Sequence, residues 1–588
     1  MKDILMKESL KFIHLESKRI KLSQYLVYGY QSEGNYIISP FYQPKNFSGD
    51  TLVWILPKDI GEKSFMISCG SYSVRTRRNG IIEISFENEY KTAEMEGRPA
   101  CDFFGNFIAL DITGGQEFML AYAHFYWDNL LPEIAERTFM HKKKDIRDGY
   151  VLSTLKEKVY GGTYPAVDHE FHIKGRYAVG GKAELILIKR MLELQIKIMR
   201  EDKQKLSRNV CSVQPDGRRE YNVWRRSKNL KNNAQMFRIT ANIEFIEEMY
   251  LYYSATKDLE FIRDNILALE NNCAYIESFI DSDGLLNSHV YFEDQVIKDG
   301  KVAQAQCFAC NSFRLMAELE TIAGKPDRTE YYNNVSTRLG EGIVREFPAG
   351  YWDKENNRFI DWIDSNGQAH DHIHLLANEL PCLFSLATAE QKADVATLVT
   401  ENDLVFSKFP SYVAAKIEDY TDSEIGTGGP YDLCAAGRYW CWDARYKAFM
   451  KDGKTLLKQL TQVASQAEID NYLMGERYDM NYIYYIDEKN WHGAALYYEY
   501  PNVFLFVLVT QYLGVSFGFG CDVTVKPLIT SDGSVELQNY GIKYTLDKGS
   551  FKLENLRDCE ITVEIDLTGI GIKCKNKLTL KANSKFII

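Results

Sequence analysis

"VAQAQCFACNSFRLMAELETIAG" (residues 302–324) repeats apolar residues with the period of an α-helix that buries one face. Stretches of the same kind run from about residue 230 to 515, and the clearest are "NNAQMFRITANIEFIEEMYLYYSAT", "DLEFIRDNILALENNCAYIESFI", "TEYYNNVSTRLGEGIVREF", "HIHLLANELPCLFSLA" and "LYYEYPNVFLFVLVTQYLG". They share no motif at a fixed spacing of 30 to 45 residues, which disfavours a solenoid. The pattern therefore predicts paired helices closed into a toroid.

Short strands are predicted on both sides of the helices. Before about residue 195 the period is two, as in "TLVWILP", "SFMISC" and "NFIALDIT", and "RRNGIIEI" carries an Asn-Gly hairpin signal. "EFHIKGRYAVGGKAELILIKRMLELQIKIM" (170–199) is predicted to begin as a strand and end as a helix. From about residue 519 strands return in "DVTVKP", "SVELQNYGIKYTL" and "CEITVEIDL".

A chain of 588 residues is too long for one compact core, so several domains are expected. We predict a multidomain fold in four parts along the chain. They are an N-terminal antiparallel β-sandwich (1–200), a helical linker (201–220), a central toroid of paired helices (221–518) and a small C-terminal β-domain (519–588).

Composition excludes some functions. A net charge of −11 argues against nucleic acid as a partner, because phosphate binding needs clustered Lys and Arg. The sequence contains no apolar stretch of 18 residues, so no membrane span is predicted. "MKDILMKESLKF" lacks the apolar core of a signal peptide. The 12 cysteines form no regular framework, and the single pair Cys307 and Cys310 cannot complete a zinc site. These features predict a cytoplasmic protein with reduced thiols.

Aromatic residues are abundant, with 38 Tyr, 31 Phe and 8 Trp making 13% of the chain. Two interpretations of this excess stay open. The rings could fill the faces of large β-sheets. They could also line a sugar-binding cleft, where they stack on pyranose faces while their polar tips remain hydrated.

The connection "SDGLLNSHVYFEDQVIKDG" (282–300) holds two adjacent carboxylates, Glu293 and Asp294, beside aromatic residues. Apolar neighbours disfavour a charged carboxyl and keep it protonated near neutral pH, as a general acid requires. The alternative is an ordinary surface loop with a Glu-Asp pair.

"MGERYDMNYIYYIDEKNWHGAALYYEYPNVFLF" (474–506) crowds carboxylates, a tryptophan and tyrosines before the last strong helix. Glu476 is expected at the same end of the toroid as Glu293. An inverting glycosidase needs such a pair about 6.5–9.5 Å apart, one as acid and one as the base that activates water. Glu499 is the competing candidate, and it needs a partner if it is buried.

Taken in order, these motifs resemble those of the six-hairpin glycosidases, which place an (α/α)6 toroid behind a β-sandwich. The likeness is strongest to glucoamylase-type enzymes, and inverting α-L-rhamnosidases are more distant. The resemblance implies that Glu293 is the general acid and Glu476 the general base. It also implies that Trp491 belongs to the loop before the closing helix.

The resemblance extends to the residues expected to hold the sugar. "YNVWRRSKN" (221–229) is similar to a Trp-x-Arg-Asp-Ser segment, which implies that Trp224 and Arg225 line the pocket. Arg226 stands where the family has Asp, so it is expected to meet an acidic sugar or a carboxylate neighbour. Asp294 is expected to contact substrate, and so is Tyr431 of "GTGGPYDLCAAGRYWCWD" (426–443), which replaces a Trp.

"YWDKENNRFIDWIDSNGQAHDHIH" (351–374) adds Trp362 as a sugar platform and Asp364 as a hydroxyl ligand. His370, His372 and His374 alternate. At a helix start, side chains two residues apart point in different directions, so no metal site is predicted here. No cofactor is predicted either.

The predicted function is an inverting glycoside hydrolase that removes a terminal sugar from a small oligosaccharide or glycoside. Two other enzymes stay open on the same toroid: a disaccharide phosphorylase, in which phosphate replaces water, and a polysaccharide lyase with a Tyr or His base. A non-catalytic carbohydrate-binding protein is the alternative from another class. The sequence leaves the oligomeric state open, a homo-oligomer included.

Overall fold

The computed structural model describes residues 98–102, 106–135, 168–213, 218–478 and 496–588, together with the strands named below that lie outside those ranges. It is a mixed helix and sheet structure. Its α-helices are α1 (Gly115–His124), α2 (His169–Val179), α3 (Lys182–Arg200), α4 (Thr240–Thr256), α5 (Leu259–Glu277), α6 (Ala303–Ala323), α7 (Pro326–Val344), α8 (Leu375–Leu383), α9 (Ala389–Glu401), α10 (Asp403–Phe406), α11 (Gly437–Phe449), α12 (Gly453–Ile469) and α13 (Glu499–Phe506).

The strands fall before, among and after the helices. The first group is β1 (Phe12–His14), β2 (Arg19–Leu22), β3 (Tyr25–Gln31), β4 (Tyr36–Ile38), β5 (Thr51–Pro57), β6 (Lys63–Cys69), β7 (Tyr72–Thr76), β8 (Ile82–Phe86), β9 (Lys91–Glu96), β10 (Phe107–Ile112), β11 (Ile134–Ala135), β12 (Tyr150–Val151), β13 (Tyr164–Pro165), β14 (Ser212–Val213), β15 (Arg219–Glu220), β16 (Val223–Arg226) and β17 (Asn233–Met236). The second group is β18 (Lys301–Val302), β19 (Trp352–Asp353), β20 (Arg358–Phe359), β21 (Trp362–Ile363), β22 (Ala369–His370), β23 (Ala435–Ala436), β24 (Arg477–Tyr478), β25 (Ile483–Tyr484), β26 (Val515–Phe517), β27 (Val523–Val525), β28 (Gly533–Asn539), β29 (Ile542–Asp547), β30 (Ser550–Asn555), β31 (Ile561–Asp566), β32 (Lys575–Leu580) and β33 (Lys585–Ile587).

The central helices pack in a cycle. Helix α2 contacts α4, α4 contacts α6, α6 contacts α8, α8 contacts α11, α11 contacts α13, and α13 packs back on α2. We call these six the inner helices. Between them in sequence lie α3, α5, α7, α9 and α12, which bury one face. In α12 that face carries Leu456, Leu460, Val463 and Ala467 at helical spacing.

Helix α2 corrects the prediction that residues 170–199 begin as a strand. Phe171 and Ile173 alternate with polar residues, which mimics a strand, but every residue of α2 is buried. A helix buried on all sides has no exposed polar face, so its sequence lacks the helical period. Helical structure thus begins inside the segment assigned to the β-sandwich, and α1 lies there too.

The helical linker predicted for residues 201–220 is also wrong. Helix α3 ends at Arg200, and the described residues that follow form turns and the short strands β14 and β15. Likewise "NNAQM" is the strand β17, paired with β16 in a hairpin, and α4 begins at Thr240. The division of the chain into domains at these points stays a prediction.

The predicted strands of both flanks are confirmed as strands. In the N-terminal segment the six-stranded order is β1-β9-β6-β5-β3-β4, and β7 and β8 form the antiparallel pair expected of the Asn-Gly signal. The C-terminal strands form two sheets. One of them has the order β10-β28-β29-β30-β33, so a strand that precedes every helix completes a sheet made from the end of the chain.

Two predictions from composition, on membrane spans and on cysteines, can be compared with the described residues. No described helix combines the length and the apolar character that a bilayer span requires. The described cysteines are free thiols, and all except Cys559 are buried, including Cys307 and Cys310 on α6. Trp440 and Trp442, both on α11, are core residues.

Candidate active site at the amino ends of the inner helices

Charged side chains collect where the inner helices begin. Asp168 precedes α2, Arg438 lies in the first turn of α11, and Glu499 is the first residue of α13. His374 caps α8 by accepting a hydrogen bond from the Ala377 backbone N–H. A helix amino end carries partial positive charge and unpaired N–H groups, so it suits carboxylates.

Glu293 lies in the loop before α6 and is fully buried. The Gln304 side-chain amide donates to both of its oxygens, at 2.8 and 2.7 Å, and His374 Nε2 lies 2.7 Å from Oε1. Lys298 Nζ is 3.3 Å from the same oxygen. Burial alone would raise the pKa of Glu293, but Lys298 and His374 outweigh it and hold the pKa well below the ordinary value.

The partners of Glu293 belong to a network that extends away from it. Lys298 Nζ also lies 2.8 Å from Asp361 Oδ1, and the Tyr420 hydroxyl donates to the other Asp361 oxygen at 3.2 Å. We call Glu293, Lys298, Gln304, Asp361 and His374 the Lys298 network. The expectation that apolar neighbours keep Glu293 protonated is wrong, because a buried cation compensates its charge.

Asp294, the next residue, points to different partners. Its side chain is 18% exposed, and Arg225 Nη2 lies 3.3 Å from Oδ2. It also shares a hydrogen bond with Asp432, which is buried just before α11. Burial and the charge of Asp294 raise the pKa of Asp432 well above its ordinary value, against the opposing effect of Arg477. Two facing carboxyl groups of this kind retain a proton between them.

Arg477 connects this pair to Glu476. Its Nη2 lies 3.6 Å from Asp432 Oδ1 and 3.4 Å from Glu476 Oε1. The Glu476 side chain is almost fully buried. One nitrogen of Arg477 thus contacts both Glu476 and Asp432, the partner of Asp294.

Glu499 is held by two arginines. Arg438 Nε donates to Oε1 at 2.6 Å and the Arg438 backbone N–H to Oε2 at 3.2 Å, while Arg477 Nη1 lies 3.3 Å from Oε2. Burial would raise the pKa of Glu499, but these guanidinium groups keep it below the ordinary value. The expectation that a buried Glu499 needs a partner is confirmed. Two fixed cations make it a poor candidate for proton transfer.

Asp168 completes the group. Arg438 Nη2 lies 3.6 Å from Oδ1, and the Tyr497 hydroxyl donates to Oδ2 at 3.3 Å. Burial raises the pKa of Asp168 to about 7, because Arg438 compensates its charge only in part and Glu499 and Glu476 are close. We call the following residues the arginine–carboxylate cluster: Asp168, Arg225, Asp294, Asp432, Arg438, Glu476, Arg477 and Glu499.

The β16–β17 hairpin carries three predicted sugar ligands. Alternation along β16 places Trp224 and Arg226 on its exposed side, with Trp224 59% exposed, while Arg225 faces Asp294. Arg225 therefore belongs to the arginine–carboxylate cluster. Arg226 points away from the carboxylates that Arg225 meets.

Two predicted sugar contacts lie elsewhere. Trp362 has no exposed surface, and its ring stacks on His370 with centroids 4.2 Å apart, so it cannot be a sugar platform. Asp364 accepts hydrogen bonds from the backbone N–H groups of Asn366 and Gln368, which stabilise a turn. Its Oδ2 lies 3.6 Å from His370 Nε2. Neither residue contacts the arginine–carboxylate cluster.

Tyr431 lies in the 3₁₀ turn Tyr431–Leu433, directly before Asp432, but its side chain is outside the described part of the molecule. Trp491 lies outside the described residues. The roles of these two residues stay predictions.

Sequence reasoning missed four members of the cluster. Asp432 and Arg477 are inside motifs that were singled out, "GGPYD" and "GERYD", but only their neighbours were selected. Arg438 lies on α11 among core tryptophans. Asp168 precedes α2, which was predicted as a strand, so no signal pointed to a helix amino end there.

One group of described side chains has the composition of a metal site. His370, His372 and Glu424 offer ligand atoms that all lie within 4.8 Å of one another. This group is separate from the arginine–carboxylate cluster and is taken up below.

Comparisons with known proteins show the fold. No family model matches the sequence, and no curated protein matches it. A GH78-family rhamnosidase of Bacillus sp. GL1 matches with a TM-score of 0.51 and 12% identity, over 87% of this chain and 51% of that chain. A sialidase matches with a TM-score of 0.50 and 10% identity, over 92% of this chain and 56% of that chain. The chain spans about half the length of both.

A kojibiose phosphorylase from the human microbiome matches with a TM-score of 0.47 and 8% identity, over 97% of this chain and 77% of that one. The matching structures include multidomain glycosidases. The predicted resemblance is confirmed at the level of the fold, which is similar to that of a GH78-family rhamnosidase.

Proposed function

We propose that this chain is an inverting glycoside hydrolase that removes a terminal sugar from a small oligosaccharide or glycoside. The cycle of inner helices is the (α/α)6 toroid of the six-hairpin fold, and the arginine–carboxylate cluster at the helix amino ends is the active site. The observation that carries the proposal is that Arg477 Nη2 contacts both Glu476 and Asp432, the partner of Asp294.

The general acid is Asp294, with its proton shared with Asp432. A general acid must hold a proton near neutral pH and must reach the leaving oxygen. The carboxyl pair supplies the proton, and Asp294 is its more exposed member. Glu293 was the acid expected from the sequence, but a buried carboxylate beside Lys298 has no proton to donate, so the role passes to its neighbour.

The general base is Glu476. In an inverting hydrolase the base removes a proton from water on the face of the sugar opposite the leaving group, while the acid protonates the glycosidic oxygen. Glu476 Oε1 and Asp432 Oδ1 both lie within 3.6 Å of Arg477 Nη2, which places Glu476 and the Asp294–Asp432 pair close enough to act on one sugar. Arg477 Nη2 lies 3.4 Å from Glu476 Oε1, and a cation at that position suits a carboxylate base.

The remaining cluster residues position the pair. Arg225 orients Asp294, and Glu499 fixes both Arg438 and Arg477 through its two oxygens. Trp224 stands exposed on the same hairpin as Arg225 and offers a ring face to the part of the substrate that extends outward. Glu293 is a positioning residue, because the Lys298 network anchors the loop that carries Asp294.

The first experiment is a substrate screen of nitrophenyl glycosides and common disaccharides, including α-L-rhamnosides and α-glucosides. Each substrate is tested with and without phosphate. For any substrate that is turned over, the anomer first released is read by NMR, and inversion is the expected result. Retention of configuration would contradict the assignment of Glu476 as a base.

The second experiment uses paired variants on that substrate. Asp294→Asn and Glu476→Gln should each lower kcat by about 10²–10⁴-fold, since each removes a proton-transfer group. Asp264→Asn and Glu341→Gln make the same chemical changes at exposed positions on α5 and α7 and should leave kcat unchanged. Folded Asp294→Asn and Glu476→Gln proteins with full activity would overturn the proposal.

A disaccharide phosphorylase is the second candidate, because the cluster contains three arginines that could receive phosphate. A phosphorylase uses phosphate as the nucleophile and needs no base, so the presence of Glu476 favours hydrolysis. Turnover that requires phosphate would reverse this order. A lyase would release an unsaturated product, and a non-catalytic binder would retain a sugar without turnover.

A further inference from the structure

We propose that His370, His372 and Glu424 form a binding site for a divalent transition-metal ion. Trp362 lies between this site and the Lys298 network, since its ring stacks on His370 and its centroid is 5.5 Å from Lys298 Nζ. The proposal does not depend on the proposed function, since it rests on a different group of side chains. It also reverses the expectation that these histidines bind no metal.

The ligand atoms converge on one point. His370 Nδ1 lies 2.6 Å and His372 Nε2 3.1 Å from Glu424 Oε1. Nitrogen and oxygen ligands about 2.0–2.2 Å from a tetrahedral zinc ion are themselves roughly 3.3 Å apart, so small side-chain shifts would admit an ion. Both histidines are partly exposed, at 20% and 13% of the side chain, which leaves an entry path.

The backbone explains why the histidines share a face. The prediction placed them at a helix start, where residues two apart diverge. The structure instead places His370 at the end of strand β22, and α8 begins only at Leu375. In extended backbone, residues two apart point to the same side. Asp371, between them, points away and pairs with Arg358 at 2.6 Å.

Neighbouring groups hold each ligand in orientation. Trp362 stacks on His370, and Tyr420 stacks on His372 with centroids 3.7 Å apart. Asp364 Oδ2 lies 3.6 Å from His370 Nε2, the nitrogen that does not face Glu424. A carboxylate behind a histidine ligand in this way fixes its tautomer and raises its basicity in metal sites.

Glu424 is also fixed. Its second oxygen accepts hydrogen bonds from the Thr421 backbone N–H at 2.7 Å and the Thr421 hydroxyl at 3.0 Å. Two imidazoles and one carboxylate are a common ligand set for zinc and for other first-row divalent ions, with a further position open to water. The donor set disfavours calcium and magnesium, which prefer oxygen ligands.

An ion at this site would join two loops. The backbone carbonyl of Glu424 accepts a hydrogen bond from Ile297 N–H at 2.7 Å, and Gly426 N–H donates to the Gln295 carbonyl at 2.6 Å. The loop that bears Glu424 is therefore tied to the loop that bears Asp294. A bound ion would link the Glu424 loop to the strand that carries His370. Through the hydrogen bonds between the loops, it would also restrain the loop that bears Asp294.

The test is metal binding to the full chain after chelator treatment. Isothermal titration with Zn²⁺ alone and visible absorption with Co²⁺ alone should each show one saturable site per chain. Cys559 is an exposed thiol and a competing ligand, so the titrations use a Cys559→Ser background. Absence of a saturable site in that protein would overturn the proposal without any further variant.

Single variants then locate the site. His370→Gln and His372→Gln should each weaken Zn²⁺ binding at least tenfold, and Asp364→Asn about 10–100-fold. Asp371→Asn is the matched control, because it removes a carboxylate from the same segment on the opposite side, and its affinity should be unchanged. Circular dichroism checks folding. Equal binding by the two histidine variants and the parent protein would place the ion elsewhere and contradict the proposal.

Discussion

Glu293 and Asp294 are adjacent, yet their carboxyl groups lie in opposite electrostatic surroundings. Glu293 enters the Lys298 network, where a lysine, a histidine and an amide compensate its charge and its pKa is lowered. Asp294 enters the arginine–carboxylate cluster, where it faces Asp432 and the pKa of that partner is raised. Two adjacent residues therefore belong to different groups: in one the carboxyl pKa is lowered, and in the other the pKa of one carboxyl is raised.

The difference shows what decides the ionisation of a buried carboxyl. Both regions are buried, and burial raises a carboxyl pKa in both. In the Lys298 network a fixed cation contacts both carboxylates. In the arginine–carboxylate cluster five carboxyl groups meet three arginines, two of which are largely committed to Glu499. The number of carboxyl groups per available cation, more than the degree of burial, decides which carboxyl pKa values are raised.

The largest expected effect compares the two neighbours directly. Asp294→Asn should lower kcat about 10²–10⁴-fold at little cost in thermal stability, because it removes the proton donor. Glu293→Gln should lower the unfolding midpoint. Per folded molecule it should retain at least ten times more activity than Asp294→Asn. Steady-state kinetics and thermal melts on both variants decide this. The reverse ranking would restore Glu293 as the acid.

The second-largest expected effect is a loss of stability when the positive charge of Lys298 is removed from the Lys298 network. Lys298→Met leaves Glu293 and Asp361 buried without their shared counter-charge, which should cost about 3–5 kcal/mol in the free energy of unfolding. The triple variant Lys298→Met, Glu293→Gln, Asp361→Asn removes all three charges and should recover most of that loss. Thermal unfolding measures both. An unchanged midpoint in Lys298→Met would mean that the charges are solvated.

A smaller effect concerns pH. The pKa of Asp168 is about 7 in the folded chain and near 3.8 otherwise, so between these values the folded state binds more protons than the unfolded state. Its contribution to stability is complete below the lower value and is lost as pH rises through about 7. Asp168→Asn should remove a slope of at most about 1.4 kcal/mol per pH unit in this window.

The measurement for Asp168 is the thermal midpoint at a series of pH values from 4 to 8, beside Asp264→Asn, which lies exposed on α5. The wild-type protein and the control should lose stability in parallel, and Asp168→Asn should lose less. Identical curves for all three would mean that Arg438 compensates Asp168 fully.

The smallest effect is at the edge of the cluster. Trp224 is mostly exposed and contributes little to the core, so Trp224→Ala should change stability by at most about 0.5 kcal/mol. If its ring stacks on the substrate, KM should rise severalfold with kcat unchanged. Trp224→Phe should recover part of the affinity. A loss confined to kcat would instead place Trp224 within the reaction step.

The fold was predictable where burial is one-sided. Helices α5 and α12 bury one apolar face, and the flanking strands alternate, so both periods are visible in the sequence. Helix α2 is buried on all sides and lost that signal. The strand pair β10 and β28 was not predictable either, because nothing in a local pattern states which distant strand will be its partner.

The site was predictable only in part for a related reason. Local motifs located Glu476, Asp294 and Arg225, which are in the cluster. They did not separate Asp294 from Glu293, because that difference depends on Lys298 and His374 reaching one side of the loop only. Asp432, Arg477, Asp168 and Arg438 belong to the cluster through contacts with residues that are distant in sequence, and a local motif does not show such contacts.

The pairing of β10 with β28 has a consequence for how the molecule is made. During synthesis β10 emerges before the helices, but its partner emerges only after them. Until then a hydrogen-bonding edge is left open, and such edges recruit other chains. The hydrogen-bonding edge of β10 is therefore covered only when the end of the chain folds.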